Sequence, residues 1–320
     1  MDIYSSSDLS ILFKSVSTTW QKAFLEYPTI WKQIATRQPM ATRQMVNAFM
    51  DRTPMMRKWI GNRVINSASV LSRVITSEPY ESTIGLNMFD LADDLYGVLG
   101  NTTQQLAVAA AQWPDKLIAD MIKGLSVTVG YDGVPVYATN HPLLNGNAGG
   151  IPAGAPATQS NLFLNTPLTF DNFASVRATM RSWRGSNGGL MNILPSVLMV
   201  PPALESLGKQ ILEGDFLANI DGITTAPQSN VYKNSAKLLV NPWLADYPNN
   251  WWLLAPMGAG MNPYVFWERL APVFTYAVQP TDANVLQSGT FIYGSHSHGT
   301  ASESVWFLSA AATSEAQYTP

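Results

Sequence analysis

LADDLYGVLGNTTQQLAVAAAQWPDKLIADMIKG, residues 91–124, carries the chain's longest helical pattern. Leu95, Val98, Leu99, Leu106, Ala110, Trp113, Leu117, Met121 and Ile122 fall on one broad apolar stripe. Asp90, Asp93 and Asp94 sit where carboxylates favour the positive end of a helix, and Gly124 stands where a helix stops. Unbroken from Leu91 to Lys123, such a helix is about 50 Å long at 1.5 Å per residue. Pro114 lacks a backbone donor, which predicts a kink or break near Trp113. The pattern reads as a structural spine.

Upstream, residues 9–36 read as an amphipathic arm. Leu12, Val16, Trp20 and Phe24 recur every four residues, followed by Pro28 and a short run through Trp31 and Ile34. Residues 59–87 read as a long β-hairpin or β-loop split by Ser77, Glu78 and Pro79. Its Val64, Val70, Val74 and Ile84 are scattered among polar residues, and an isolated two-stranded ribbon is marginal in water. The ribbon must lie on something.

Downstream, Leu125–Val129 reads as a short strand leading into YDGVPVYATNHPL at 131–143. There Asp132-Gly133 predicts a tight hairpin-type turn, Val134–Tyr137 a strand, and His141-Pro142 an extended exit. Residues 144–168 form a Gly/Pro/Ala/Asn-rich surface loop. A helix follows, with Asp171 as its cap and Phe173, Val176, Met180 and Trp183 on its buried face, and RGSNGG at 184–189 makes a turn. SVLMV, AKLLV, WWLLA, YVFW, FTYAV, TFIYG and SVWFL then read as strands, interrupted by a helix over Ala203–Leu212 that Pro201-Pro202 introduce. The fold class is α+β, with a strand-rich C-terminal half.

Composition narrows the function. Of 320 residues 46% are hydrophobic, while charged residues are only 13%, about half the usual share of roughly 25%. Low charge with ten Trp, twelve Tyr, twelve Phe and thirteen Met suits a surface buried against other subunits better than a neutral-surfaced monomer. The net charge of −3 argues against a globally basic nucleic-acid binder. Residues 1–80 hold ten Lys/Arg against five Asp/Glu, and residues 81–320 nine against seventeen. That asymmetry, +5 against −8, suits a basic arm on an acidic body, its own or a neighbour's, or an arm near DNA. Without cysteine, disulfides, thiolate metal sites and thiol nucleophiles are excluded. No run approaches a membrane span of about 18 residues, and MDIYSSSDLS has neither part of a signal peptide.

Tests for chemistry fail one after another. His296 and His298 share a face if extended, but zinc needs a third or fourth ligand, and the flanking Gly294 and Gly299 mark a loop tip. GSHSHG at 294–299 is no G-x-S-x-G elbow, and neither a phosphate loop nor a dinucleotide-binding glycine motif occurs. Asp93 and Asp94, adjacent on a helix, point about 100° apart and cannot converge on one bond. His141 reads as a hydrogen-bonding scaffold residue. Neither a catalytic, cofactor nor metal site is expected.

The aromatic and proline signposts say more. In order they are WKQIAT (31–36), MRKWIGNRV (56–64), LADDLYG (91–97), AAAQWPDKLI (109–118), YDGVPVYATNHP (131–142), LMVPPALE (198–205), LVNPWL (239–244), FWERLAPVF (266–274) and FIYG (291–294). This series resembles the Mu-like phage and prophage major head subunit (gpT) family over roughly residues 11–310. The resemblance implies a Hong Kong 97-type capsid fold and a major capsid protein that self-assembles into the icosahedral head of a tailed phage around its double-stranded DNA. It implies an N-terminal arm at 1–55, an extended loop at 56–90, a peripheral domain at 91–193 with the spine helix 91–124, an axial domain at 194–290, and closing strands at 291–320. It also implies hexamers and pentamers of a shell, scaffolding, portal and decoration partners, packaged DNA held non-specifically, no membrane, and a place in the virion after assembly in the bacterial cytoplasm. Arg43, Arg52, Arg57, Trp59, Arg63, Arg73 and Glu81 are the expected intersubunit contacts. Where relatives tend toward Y-G-x-D-A-R-G, Gly294 here leads into SHSHGTASES, so no site transfers there. An encapsulin-type compartment shell and a histidine-dependent metallohydrolase are the alternatives.

Overall fold

The apolar runs of the C-terminal half are continuous because both faces of their strands are covered. The computed structural model describes residues 6–50, 70–92, 98–142, 157–185, 189–217, 228–258 and 260–318. In chain order the first part comprises α1 (Ser6–Glu26), β1 (Ala35–Pro39), β2 (Gln44–Met50), β3 (Val70–Thr76), β4 (Glu78–Asn87), α2 (Met88–Ala92) and α3 (Val98–Lys123). Short strands β5 (His141–Pro142), β6 (Thr158–Gln159) and β7 (Leu162–Phe163) lead to α4 (Phe170–Ser182), β8 (Val197–Val200), α5 (Glu205–Leu212), β9 (Phe216–Leu217), β10 (Gln228–Ser229), β11 (Lys237–Val240) and β12 (Asn250–Leu254). Two long strands, β13 (Tyr264–Ala277) and β14 (Thr290–Glu303), flank α6 (Ala283–Ser288), and β15 (Ser309–Thr313) closes the chain.

Two sheets organise these elements. A five-stranded sheet has the order β11-β8-β12-β15-β7, parallel at its two outer pairs and antiparallel within. Alternation along β8 and β12 divides its side chains between two cores. Met199, Trp252 and Leu254 meet Ile118 and Ile122 of α3 on one face, whereas Leu198, Trp251 and Leu253 meet Phe173, Val176 and Met180 of α4 and Ile211 of α5 on the other. The four-stranded sheet, β1-β13-β14-β4, is covered by helices on one face, while on the other only its root is covered, where Met40 and Ile75 pack on Val265 and Trp267. On the helix-covered face Phe291 and Tyr293 pack under Val16 and Trp20 of α1 and Leu106, Ala107 and Ala110 of α3.

The α+β architecture and the amphipathic first helix agree with the sequence reading, and several local expectations change. The spine helix, described over Val98–Lys123, runs through Pro114 without a break; Leu95, Asp93 and Asp94 lie outside the described residues. The 59–87 segment is not a hairpin on itself. β3 pairs antiparallel with β2, Val46 opposite Val74, while β4 turns away at Ser77 and joins β14. Leu125–Val129 is not a strand: the amides of Val127 and Thr128 donate back to the Gly124 carbonyl, so the chain turns and only Val129 bridges, to Pro135. Nor is Val134–Tyr137 a ladder strand, although Gly133 does take φ +83° in the expected turn. Thr169, not Asp171, caps α4, its side chain accepting the Asn172 amide at 3.2 Å. YVFW and FTYAV are one strand, β13, with register shifts between Glu268 and Val273. Trp306–Leu308 forms a 3-10 turn, and the small-residue run SAAAT supplies β15 in its place. Most of the 144–168 loop lies outside the described residues, but Asn161 and Leu168 within it are buried, not exposed.

Candidate functional site

The N-terminal part belongs to the body. Trp20 stacks on Phe24 with centroids 5.0 Å apart and on Phe274 at 5.6 Å. The Asp115 carboxylate, reaching out from α3, accepts the amides of Trp31 at 2.7 Å and Ile30 at 3.1 Å. Burial raises the Asp115 pKa, and those two amides and Lys32 offset the rise in part. β1 then runs parallel to β13 as an edge strand.

Beyond Met40 the chain leaves the body as the β2–β3 ribbon. Ile75 anchors its base against Met40, Val265 and Trp267, and Arg73 pairs with the buried Glu303. The Ser77 amide donates to the Arg43 carbonyl at 2.9 Å at the corner. On the opposite face Val46 and Val74 stay 60% and 59% exposed, side by side. The two valines form an exposed cross-strand apolar pair.

Three of the seven expected contact residues fall within described structure. Arg43 is exposed beside the ribbon base, and Glu81 is exposed on β4, opposite His296. Arg73 is engaged within its own chain, where its charge serves the ribbon anchor. Arg52, Arg57, Trp59 and Arg63 lie outside the described residues.

The HSH stretch is a correction. It lies mid-strand in β14, not at a loop tip, with His296 exposed and His298 half-buried on the face away from the helices. Small residues look loop-like there because α3 comes close: a Cβ on Gly299 would stand 2.6 Å from the Trp267 carbonyl oxygen and 2.9 Å from the Trp113 ring. Burial, then Arg269 and Arg43, push the His298 pKa down. Among the described residues no three His, Asp or Glu come together as metal ligands.

His141 is a scaffold residue, as expected, and the structure shows how. It is fully buried, stacked on Trp306 with centroids 4.4 Å apart. Nδ1 stands 2.5 Å from Asp132 Oδ2, and Nε2 stands 2.9 Å from Asn161 Oδ1. The Asn161 side chain also accepts the Ala138 amide and donates to the carbonyls of Val136, Trp306 and Ser309. An Asp–His pair can serve catalysis, but here the third member is an amide with no nucleophilic atom, sealed from substrate. The node ties the 132–141 segment to the chain's end. Sequence reasoning missed Asn161, whose only signal is a polar residue between the two short strands β6 and β7.

A cleft of about 450 Å³ opens between α3 and the β4–β14 edge, lined by Tyr80, Glu81, Trp113, Lys116 and Ser297 among others. No helix among the described residues is long and apolar enough to cross a membrane.

Comparison with known proteins places this architecture. The family profile described as "Phage capsid protein" matches residues 87–305, and that of the "Mu-like prophage major head subunit gpT" matches residues 9–163. The chain is 24% identical to the major capsid protein of Escherichia phage Mu, covering 73% of this chain and 97% of that one. It is also 24% identical to the Mu-like prophage FluMu major head subunit of Haemophilus influenzae over 41% of this chain and 43% of that one. Among solved structures, the procapsid of bacteriophage JBD30 superposes with a TM-score of 0.60 at 23% identity, covering 97% of this chain and 76% of that chain.

Proposed function

Since the chain belongs to the phage capsid protein family and is a major capsid protein of a tailed-phage head, we propose that its uncovered ribbon and half-covered sheet are the parts through which copies assemble. One observation carries this reading: the ribbon presents Val46 and Val74 outward while its base is locked to the body by Ile75 and Arg73. A segment anchored at its root and apolar along its shaft lies ready to rest on a neighbour. Arg43, outside the anchor, adds charge at the ribbon's foot, and Glu81 an acidic point on the edge strand. Arg52, Arg57, Trp59 and Arg63, nearer the ribbon's far end in sequence, are assigned to the same contact.

The domain roles follow. The bounds proposed here differ from the sequence expectation of a loop at 56–90, a peripheral domain at 91–193 and an axial domain at 194–290. Because β2 pairs with β3, the extended loop with its return strand is assigned to 41–92, the α3 spine and the four-stranded sheet to the peripheral part, and the five-stranded sheet with α4 and α5 to the axial part at a capsomer centre. Hexamers and pentamers of this chain close a shell. Each contact is modest, and ring closure multiplies them. A scaffolding protein, a portal and a decoration protein are the proposed partners, with packaged DNA held non-specifically and assembly in the host bacterium's cytoplasm. No enzymatic step is assigned to the chain, consistent with relatives named as capsid proteins.

Negative-stain microscopy and sedimentation of the expressed chain test the reading. The expected result is closed particles or sedimenting capsomers. A stable monomer at high concentration, with its ribbon protected from proteolysis, would overturn it.

A further inference from the structure

We propose that the uncovered face of the four-stranded sheet, around Leu270 and Val273, is the dock for an acidic, apolar knob at the far end of the same sheet in a second copy of the chain. The inference rests on the shell reading and adds to it a specific pair of surfaces.

The dock is built by register. Leu270 stands opposite His298 and Val273 opposite His296, so all four side chains share the face away from α1 and α3. Leu270 and Val273 are each 40% exposed. Arg43 and Arg269 lie close enough to act electrostatically on His298, and neither has a carboxylate partner among the described residues. Glu81, opposite His296, is the carboxylate on this face, and it accepts a hydrogen bond from Thr83 at 2.5 Å. Apolar side chains set between unpaired guanidinium groups match a protein surface better than DNA, whose phosphates would leave the apolar part uncovered.

The knob has the complementary chemistry. The Met88 amide donates to the Gly289 carbonyl at 2.8 Å, and Gly289, at φ +59°, ends α6. That turn holds Phe89 and Leu286 at the sheet's end, 58% and 72% exposed, with the exposed Asp90 next in the chain and free of a cation partner among the described residues. Other acids beside exposed apolar residues are already neutralised: Glu205, near Leu207, pairs with Lys209, and Asp215, before Phe216, pairs with Lys233. Glu26 stands beside a single exposed aliphatic, Leu25, whereas the knob offers two apolar side chains. The knob cannot fold back onto its own dock. From Thr290 to His296 the strand extends about 20 Å. Only a second copy can bring the two together, and because dock and knob are different surfaces the contact is head-to-tail and can close a ring.

The absence of cysteine supplies the test. Phe89→Cys and Val273→Cys placed in one chain should, after assembly and mild oxidation, give a ladder of covalent oligomers on a non-reducing gel, while either substitution alone leaves monomer. In parallel, Asp90→Arg or Arg269→Glu should each lower the assembled fraction about tenfold, and the two combined should restore most of it. Particles that form normally but run as monomer from the double-cysteine chain would overturn the docking and leave the shell reading standing. A ladder from Phe89→Cys alone would overturn it too, by showing that knobs meet one another. If the unsubstituted chain forms no assemblies, both readings fall together.

Discussion

The two sheets of this molecule are made from similar residues and finished in different ways. In the five-stranded sheet every residue of β8 and β12 is buried, because α3 covers one face and α4 and α5 the other. In the four-stranded sheet the first residues of β13 are equally buried, but from Glu268 onward exposed and covered positions mix. An antiparallel sheet can keep one face in water, normally with polar side chains there. Here Leu270 and Val273 occupy that face, and Val46 and Val74 occupy the ribbon beside it. The difference separates a region buried on both faces from one that keeps apolar side chains in water, the part assigned above to contact with other copies.

The largest effect should come from breaking the finished region. Trp252→Ala removes a fully buried ring from the core beneath α3, at a cost of about 3–5 kcal/mol, read as a fall in the denaturation midpoint of the soluble chain and loss of all assembly. Asn161→Ala strands the Ala138 amide and several carbonyls, and should cost about 2–3 kcal/mol by the same measurement. Gly299→Ala acts where the two regions touch. Its methyl group meets backbone at Trp267 as well as the Trp113 ring, so a loss of about 1–3 kcal/mol is expected, with altered tryptophan fluorescence.

Glu303 sharpens the contrast through pH. Burial raises its pKa and Arg73 pulls it back only in part. The folded chain therefore holds that proton more tightly than the unfolded chain. The resulting stabilisation is complete below the unfolded carboxylate range and fades as pH climbs through the raised folded value. Glu303→Gln should flatten this slope in denaturation midpoints measured across the acid range. The smallest effect on folding should come from the ribbon: Val46→Ser with Val74→Ser is expected to change subunit stability by less than about 0.5 kcal/mol per site while reducing the sedimenting fraction. If the pair instead unfolds the subunit, the ribbon belongs to the finished region.

Legibility in the sequence follows the same division. SVLMV and WWLLA could be read as strands because two-sided burial leaves only apolar residues. Trp20 and Phe24 revealed α1 because one helix face alone is buried. The pairing of Gln44–Met50 with Val70–Thr76 was not legible, since a ribbon in water imposes no apolar pattern on most of its positions and its register depends on a distant partner. His296-Ser297-His298 misled because closeness to α3 demands small side chains, which also fill loops. The scaffold role of His141 could be seen from the proline after it. Its partners Asp132 and Asn161 are set by tertiary contacts that no spacing announces.

The paired strands β13 and β14 are fourteen residues each, rooted beside Tyr264 and Glu303 and running to the α6 turn. A strand of that length spans about 45 Å, so a tilt of roughly 5° at the root swings the far end about 4 Å. Adjustments too slight to disturb the packing around Tyr264 would thus become displacements comparable to a side chain at the rim, and in the proposed shell such leverage would let one subunit suit both flat and curved parts of a closed surface.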